Sequence, residues 1–420
     1  MLGPIMPVGA SGGGIPVPLV YTMGAAQTRT MSQAIGLGYS QFDPAQGVFK
    51  ISGDKYGLTT QWYNSLTEQI FTQMTFDSSG DITWGTDQNW YSTGQPVGVA
   101  GASHDGNRVI FSGATNTTMP QQRYHTSFDL SAAGVLSNEV ENGYTYNVFA
   151  RDDNPHSLIS LGDAFFIDYG GMTATDNQFK ASLYRVSDMA SQTAYLSSNL
   201  PDGSGGKPGL AVNSDRSDND SGTALGFFNA NATTQMSWFT LDYTSNTWGS
   251  IALTYRAGSY TAVSLPVEFT SSNTDNTVKY LGNDLFIYFA TGSIGMARWD
   301  GTTFKELGHL ALNWRYHGGM VNGAIISVTA TEVHGFVTSG NTSPGALQTE
   351  LYAKPFVLFL NDDDQITGFL GVEHHLTDGL TGNFSMPHVI VPETANATAT
   401  FIFLDGNVAS SVAFRKLTQA

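Results

Sequence analysis

Phe76-Asp77-Ser78-Ser79-Gly80-Asp81-Ile82-Thr83-Trp84 reads as a hairpin. An apolar residue closes one strand, an aspartate opens the turn, and a second strand follows. A short carboxylate or amide side chain at that position accepts backbone N–H groups of the turn. The same pattern recurs along the chain. Phe42-Asp43 precedes Val48-Phe49, Phe128-Asp129 precedes Val135-Leu136, and Leu241-Asp242 precedes Trp248. Trp299-Asp300 precedes Phe304, Leu360-Asn361 precedes Ile366-Thr367, and Leu404-Asp405 precedes Val408. Tyr184-Arg185 keeps the spacing but breaks the chemistry, and Asp188 is placed to take over that turn.

From Asp77 onward the intervals are 52, 56, 57, 58, 61 and 44 residues, while the first, Asp43 to Asp77, is 34. A second kind of turn lies upstream of several hairpins. Asp105-Gly106-Asn107 precedes Val109-Ile110-Phe111, Gly162-Asp163 precedes Phe165-Phe166-Ile167, Gly282-Asn283-Asp284 precedes Leu285-Phe286-Ile287, and Asn322-Gly323 precedes Ile325-Ile326. Gly106 to Asp129 and Gly162 to Arg185 each span 23 residues. Two hairpins per unit of about 50 residues make one four-stranded propeller blade.

The expected fold is therefore all-β: a single β-propeller of about seven four-stranded blades over residues 25–420, behind an extended N-terminal arm at 1–24. Eight hairpins would allow eight blades, but the short first interval favours seven, with an N-terminal strand or hairpin completing the last blade. Closure leaves no long free sheet edge. Two β-sandwich domains are the competing architecture. The most helix-like stretch, Leu58 to Phe71, contains Trp62 and Tyr63 and reads equally as strand.

Composition narrows the function classes. The chain has 420 residues, 41% hydrophobic and only 13% charged, so Ser, Thr, Asn, Gln and Gly must cover much of the surface. Its net charge of −17 repels a phosphate backbone and anionic lipid alike. The absence of cysteine excludes disulfides, thiolate metal sites and Cys nucleophiles. No Lys or Arg precedes Arg29, so the basic region of a signal peptide is missing, and Gly and Pro interrupt the early apolar stretch. No membrane insertion is expected.

Neither a G-x-S-x-G elbow, nor an H-E-x-x-H pair, nor a phosphate loop stands out, and no catalytic residue is assigned. His374 and His375, adjacent on a strand, would face opposite sides and not share a metal. Asp215, Asp218 and Asp220 lie in a Ser/Gly/Asp-rich loop that loosely follows a calcium loop. They are the candidate Ca2+ ligands, although the distal Glu of an EF-hand is missing and a solvated loop is the competing reading. Trp84, Trp90, Trp248 and Trp314 sit beside turns with polar neighbours, a setting that suits stacking on sugar rings; core packing is the competing reading. In the arm, Leu2, Ile5, Met6, Ile15, Val17 and Leu19 are too apolar for a solvated linker. They are expected either to pack as a strand on their own domain or to dock on another subunit.

The Gly/Pro arm (MLGPIMPVGASGGG), the missing cysteines, the low charge and the Ser/Thr/Asn/Gly-rich β repeats resemble those of virion proteins of tailed bacteriophages. The resemblance implies a non-enzymatic tail or capsid accessory component, present in many copies. It would be bound to other virion proteins through its arm and would contact host glycans. Such a protein is made in the host cytoplasm and released by lysis. The alternative from another class is a carbohydrate-binding or carbohydrate-active propeller, a lectin or glycosidase.

Overall fold

The computed structural model describes residues 19–32, 47–61, 69–91, 96–115, 122–145, 277–289, 292–300, 304–313, 321–341, 348–361, 365–405 and 411–420, with residue 363 and shorter stretches between 158 and 262. The elements so described, β1 to β32, are all strands.

β1 (Tyr21–Met23) and β2 (Gln27–Thr30) open the chain. Sheet 1 then runs β3 (Val48–Ser52), β4 (Lys55–Gln61), β5 (Gln69–Phe76), β6 (Ile82–Trp84), with β7 (Gln88–Tyr91) also on β5. Sheet 2 is β8 (Pro96–His104), β9 (Arg108–Thr115), β10 (Gln122–Leu130), β11 (Leu136–Thr145). Sheet 3 is β12 (Leu158–Leu161), β13 (Ala164–Tyr169), β14 (Phe179–Arg185), β15 (Ser191–Leu196). Sheet 4 is β16 (Pro208–Ala211), β17 (Ala224–Asn229), β18 (Gln235–Asp242), β19 (Ala252–Tyr255), with β20 (Thr261–Ala262) also on β18. Sheet 5 is β21 (Thr277–Gly282), β22 (Leu285–Phe289), β23 (Ser293–Trp299), β24 (Phe304–Ala311). Sheet 6 is β25 (Val321–Val328), β26 (Glu332–Gly340), β27 (Leu351–Leu360), β28 (Ile366–Leu370), with β29 (His374–His375) also on β27. Sheet 7 is β30 (His388–Ile390), β31 (Thr398–Asp405) and β32 (Ser411–Gln419). Its fourth position is filled from the other end of the chain, because both β1 and β2 pair antiparallel with β32.

Sheets 1 to 6 are antiparallel meanders in chain order, sheet 7 is one completed by the N-terminal strands, and each packs on the next. β3 and β4 touch β8, β8 touches β12, β15 touches β19, β16 and β17 touch β21, and β24 touches β28. Sheets 6 and 7 share one apolar cluster, and sheet 7 shares another with sheet 1. β31 shows how one strand serves two boundaries. All eight of its residues are buried. Phe401 and Phe403 point into the sheet 6–7 core, while Ile402 and Leu404 point into the sheet 7–1 core. A strand covered on both faces reads as a continuous apolar run, and the period of two decides which neighbour each side chain meets. β27 does the same with Leu351, Ala353 and Val357 on one side and Tyr352, Phe356 and Leu358 on the other.

The recurrent turn is real, and its register is cleaner in hydrogen bonds than in sequence. Between the third and fourth strands, Asp77 N–H donates to Asp81 O, Ser131 N–H to Val135 O, and Asn361 N–H to Gln365 O. In each turn the first residue's side chain accepts the N–H four residues on: Asp77 from Asp81, Ser131 from Val135, Asn361 from Gln365. Asp129 is thus two residues early, and a serine hydroxyl holds the equivalent place in sheet 2. In sheet 3 Asp188 does take over, accepting from Ala190 N–H and pairing with Arg185. Asp405 is a correction: it ends the second strand of sheet 7, so its turn precedes the third strand. Asp43 falls outside the described residues, and the strand after it is the first of sheet 1. The first-to-second turns at Asp105-Gly106 and Asn283-Asp284 take positive φ, 48° and 69°, 51° and 60°. Asn322-Gly323, read as a turn, lies within β25, where Gly323 pairs with Val337.

Part of the segment read as an arm is described. Residues 1–18, including Leu2, Ile5, Met6, Ile15 and Val17, lie outside the described residues. Leu19 and Tyr21, placed in the arm by sequence, are buried in the chain's own sheet 6–7 core. Tyr21 packs edge-on against Phe336 with ring centroids 5.0 Å apart, and burial pushes its phenol up to about 12.

Candidate functional site

Two of the four tryptophans expected to stack on sugars are occupied within the fold. Trp90 is 4% exposed; its ring stacks on Phe111 at 4.5 Å and its indole N–H donates to Thr59 Oγ1 at 3.1 Å. Trp84 is half-buried beside Phe414, with the Arg29 guanidinium 4.6 Å over its ring. Trp248 falls between β18 and β19 and Trp314 between β24 and β25, both outside the described residues. Asp215, Asp218 and Asp220 fall between β16 and β17, also outside them. Among the described residues no group of three or more His, Asp or Glu side chains is arranged for a metal.

A polar group that includes an aromatic–imidazole stack lies where sheet 5 meets sheet 6. β27 supplies Tyr352 and Lys354, and the short β29 pairs with it so that His375 stands opposite Tyr352 and His374 opposite Ala353. The two histidines do face opposite ways. His374 is buried, and burial lowers its pKa. His375 is half-buried, its ring stacked on Tyr352 with centroids 4.7 Å apart and planes 16° from parallel. Tyr352 donates its hydroxyl to Glu350 at 2.7 Å, and Thr377 Oγ1 lies 3.1 Å from His375 Nε2. Asn341 fixes the segment before β27 by accepting the N–H groups of Thr349 and Glu350.

Lys354 ties this group to the preceding sheet. Its ammonium is nearly buried and donates to the carbonyls of Leu312 and Asn313 at 3.0 and 2.9 Å. Glu373 balances the charge at 3.3 Å. Burying an ammonium is tolerable only when it is paired and hydrogen-bonded, and here both hold. The two carbonyls immediately precede Trp314 in sequence. Tyr352 is itself buried in the sheet 5–6 core, so the partly exposed face of this group is the His375 ring that it backs, with the Thr377 hydroxyl beside it, a surface that suits a ligand offering an apolar face and many hydroxyls.

Sequence reasoning singled out His375 but assigned it nothing. Glu350, Tyr352, Lys354 and Thr377 were missed, because cross-strand pairing brings them together. The pattern with a chance of exposing it was an aromatic residue and a histidine on strands that pair, which requires the register first.

No family model and no curated protein matches the chain. Among solved structures, one of two prolyl endopeptidases is similar at 11% identity and TM-score 0.41, over 90% of this chain and 51% of that one, so the chain spans about half its length. A GH93 α-L-arabinofuranosidase of Fusarium graminearum, in complex with arabinobiose, is similar at 8% identity and TM-score 0.40, over 93% of this chain and 98% of that one. A polysaccharide lyase, Uly1, is similar at 9% identity and TM-score 0.42, over 96% and 100%. None of these likenesses carries an argument about activity, and none bears on the resemblance to virion proteins.

Proposed function

We propose that the chain is a seven-bladed β-propeller closed by its own N-terminal strands, and that it binds a neutral, hydroxyl-rich ligand, a glycan, without turning it over. Seven successive meanders, each packed on the next and the seventh packed on the first, support the ring. The ligand class rests on one observation, the stacked Tyr352–His375 pair with Glu350 and Thr377 at its edge. The net charge of −17 disfavours polyanionic ligands. The Tyr352 hydroxyl is held by Glu350 in a 5%-exposed ring, an arrangement for positioning a contact rather than attacking a bond.

Titrating the purified chain against neutral oligosaccharides tests the reading. Binding is expected, with no change in the recovered sugar. His375→Ala should weaken it by up to about tenfold, the equivalent of one lost stacking contact of ~0.5–1.5 kcal/mol. Absence of binding to any neutral glycan, or unchanged affinity in the His375→Ala variant, would overturn the site. Release of a shorter sugar would make the protein an enzyme.

A further inference from the structure

Among the described residues, the ion pairs that join one sheet to another all lie where sheet 7 meets sheet 1. Arg29 on β2 reaches Asp87 at 2.6 Å, Lys416 on β32 reaches Asp81 at 2.5 Å, and Lys50 on β3 pairs with Glu393. A further carboxylate, Asp54, accepts the N–H of Glu393 at 2.5 Å, the N–H of Thr394 at 3.0 Å and the Thr394 hydroxyl. The remaining pairs stay within a sheet or its turns: Arg108–Asp129, Arg185–Asp188, Glu306–His309, Glu332–His334 and Lys354–Glu373, besides the neighbours His104–Asp105. The sheet 7–1 seam has an apolar cluster of its own, as the boundaries of sheets 5–6 and 6–7 do, and differs from them in carrying these ion pairs as well.

Sheet 1 therefore offers three aspartates to sheet 7, each with a different partner. Asp87 is the most enclosed, its side chain 4% exposed. Arg29, Ser32 N–H and the Thr72 hydroxyl all donate to it, and Arg29 also lies over Trp84. Burial acts to raise its carboxyl, and those donors outweigh burial and hold it below the usual range. Asp81 shares Lys416 with Asp77 across one turn. Asp54 and the Lys50–Glu393 pair meet at the same connection before β31.

We propose that this seam is an electrostatic latch, the joint at which the ring opens when its carboxylates lose their charge, while the seven sheets and the other boundaries stay intact. The inference rests on the closed-ring reading. Opening there breaks no strand pairing, because β1 and β2 belong to sheet 7 through β32. For a group held below its usual range, stability is present above the unfolded value, about 3.9, and is lost as pH falls through the folded value. Asp87, held below its usual range, therefore keeps its share of the latch at neutral pH and gives it up only as pH falls well below the ordinary aspartate value. Salt near ~1 M weakens the three ion pairs as well, because it shortens the screening length to about 3 Å.

Hydrogen exchange read by mass spectrometry tests the latch. The reporting amides are Ser32, Glu393 and Thr394, whose acceptors are the seam carboxylates. Protection factors, corrected for intrinsic rates, are compared between neutral pH and about pH 2.5, more than a unit below the ordinary aspartate value, and between the natural chain and a D54N/D81N/D87N variant at neutral pH. Protection at the three amides should fall at least about tenfold in both, a loss of about 1.4 kcal/mol, while β2, β22–β23 and β27 keep theirs. Unchanged seam protection, or loss in step across all sheets, would overturn the latch. If the triple variant does not fold, Asp81→Asn and high salt on the natural chain give the same comparison. No protection at these amides at neutral pH would overturn the closed ring itself.

Discussion

A chain lacking residues 1–30 is expected to fail to fold stably at 37 °C and to aggregate, while one lacking residues 1–18 folds normally. The longer deletion removes Leu19 and Tyr21 from the sheet 6–7 core and Arg29 from the seam. It also strips β1 and β2 from β32, leaving a nine-residue edge, Ser411–Gln419, with its hydrogen-bonding groups unpaired. Each large apolar side chain lost from a core costs roughly 1.5–3 kcal/mol, against a total margin of roughly 5–15 kcal/mol. A long bare edge is in addition a template for aggregation. Circular dichroism and size-exclusion chromatography of the two truncations check this. If the chain lacking 1–30 folded with unchanged stability, the N-terminal closure of sheet 7 would be refuted.

Phe111→Ala should cost about 3–5 kcal/mol, among the largest single-residue effects in the molecule. Phe111 is fully buried on β9 at the sheet 1–2 boundary. Its ring meets Trp90 at 4.5 Å, Phe71 at 5.5 Å, Phe128 at 5.9 Å and Phe49 at 6.1 Å. Removing it empties the centre of a five-ring cluster that cannot collapse, because the glycines lining it already let the rings approach closely. A Cβ on Gly101 would lie 2.2 Å from the Phe49 ring, and one on Gly57 2.3 Å from it. Urea denaturation should show a lower midpoint with an unchanged slope. A shift of under about 1 kcal/mol would mean the boundary between sheets 1 and 2 is not the packed core described.

Much of the fold was legible from turns alone, and the misreadings have physical causes. Asp77 and Asn361 were found because their side chains cap the same five-residue turn. In sheet 2 a serine does that work, and the rule that sought a carboxylate or amide settled on Asp129 instead. The two anomalous intervals, 34 and 44 residues, mark the chain's start and end. Asp43 precedes the first strand of sheet 1 and Asp405 the third strand of sheet 7, so neither interval joins equivalent turns and neither measures a whole unit. Trp90 packs in the core, the competing reading of these tryptophans, because a tryptophan beside a turn can face either side of its sheet and only the neighbouring sheet decides. The polar group at sheets 5 and 6 draws on residues 312–313, 350–354 and 373–377, three segments that stacking and pairing bring together. Sequence spacing carries no trace of that meeting.

The central claim is that sheet 7 returns to sheet 1. The natural chain has no cysteine, so two introduced cysteines can be spin-labelled cleanly. Thr83 on β6 and Ala397 before β31 are both exposed on the two sides of the seam. In a Thr83→Cys, Ala397→Cys variant, pulsed electron–electron resonance should give one narrow distance distribution centred near ~20 Å, as between adjacent sheets packed ~10 Å apart with label arms added. Seven sheets stacked in an open row at that spacing would put the labels about 60 Å apart. A distribution at that longer distance, or one split between the two, would contradict the closed ring.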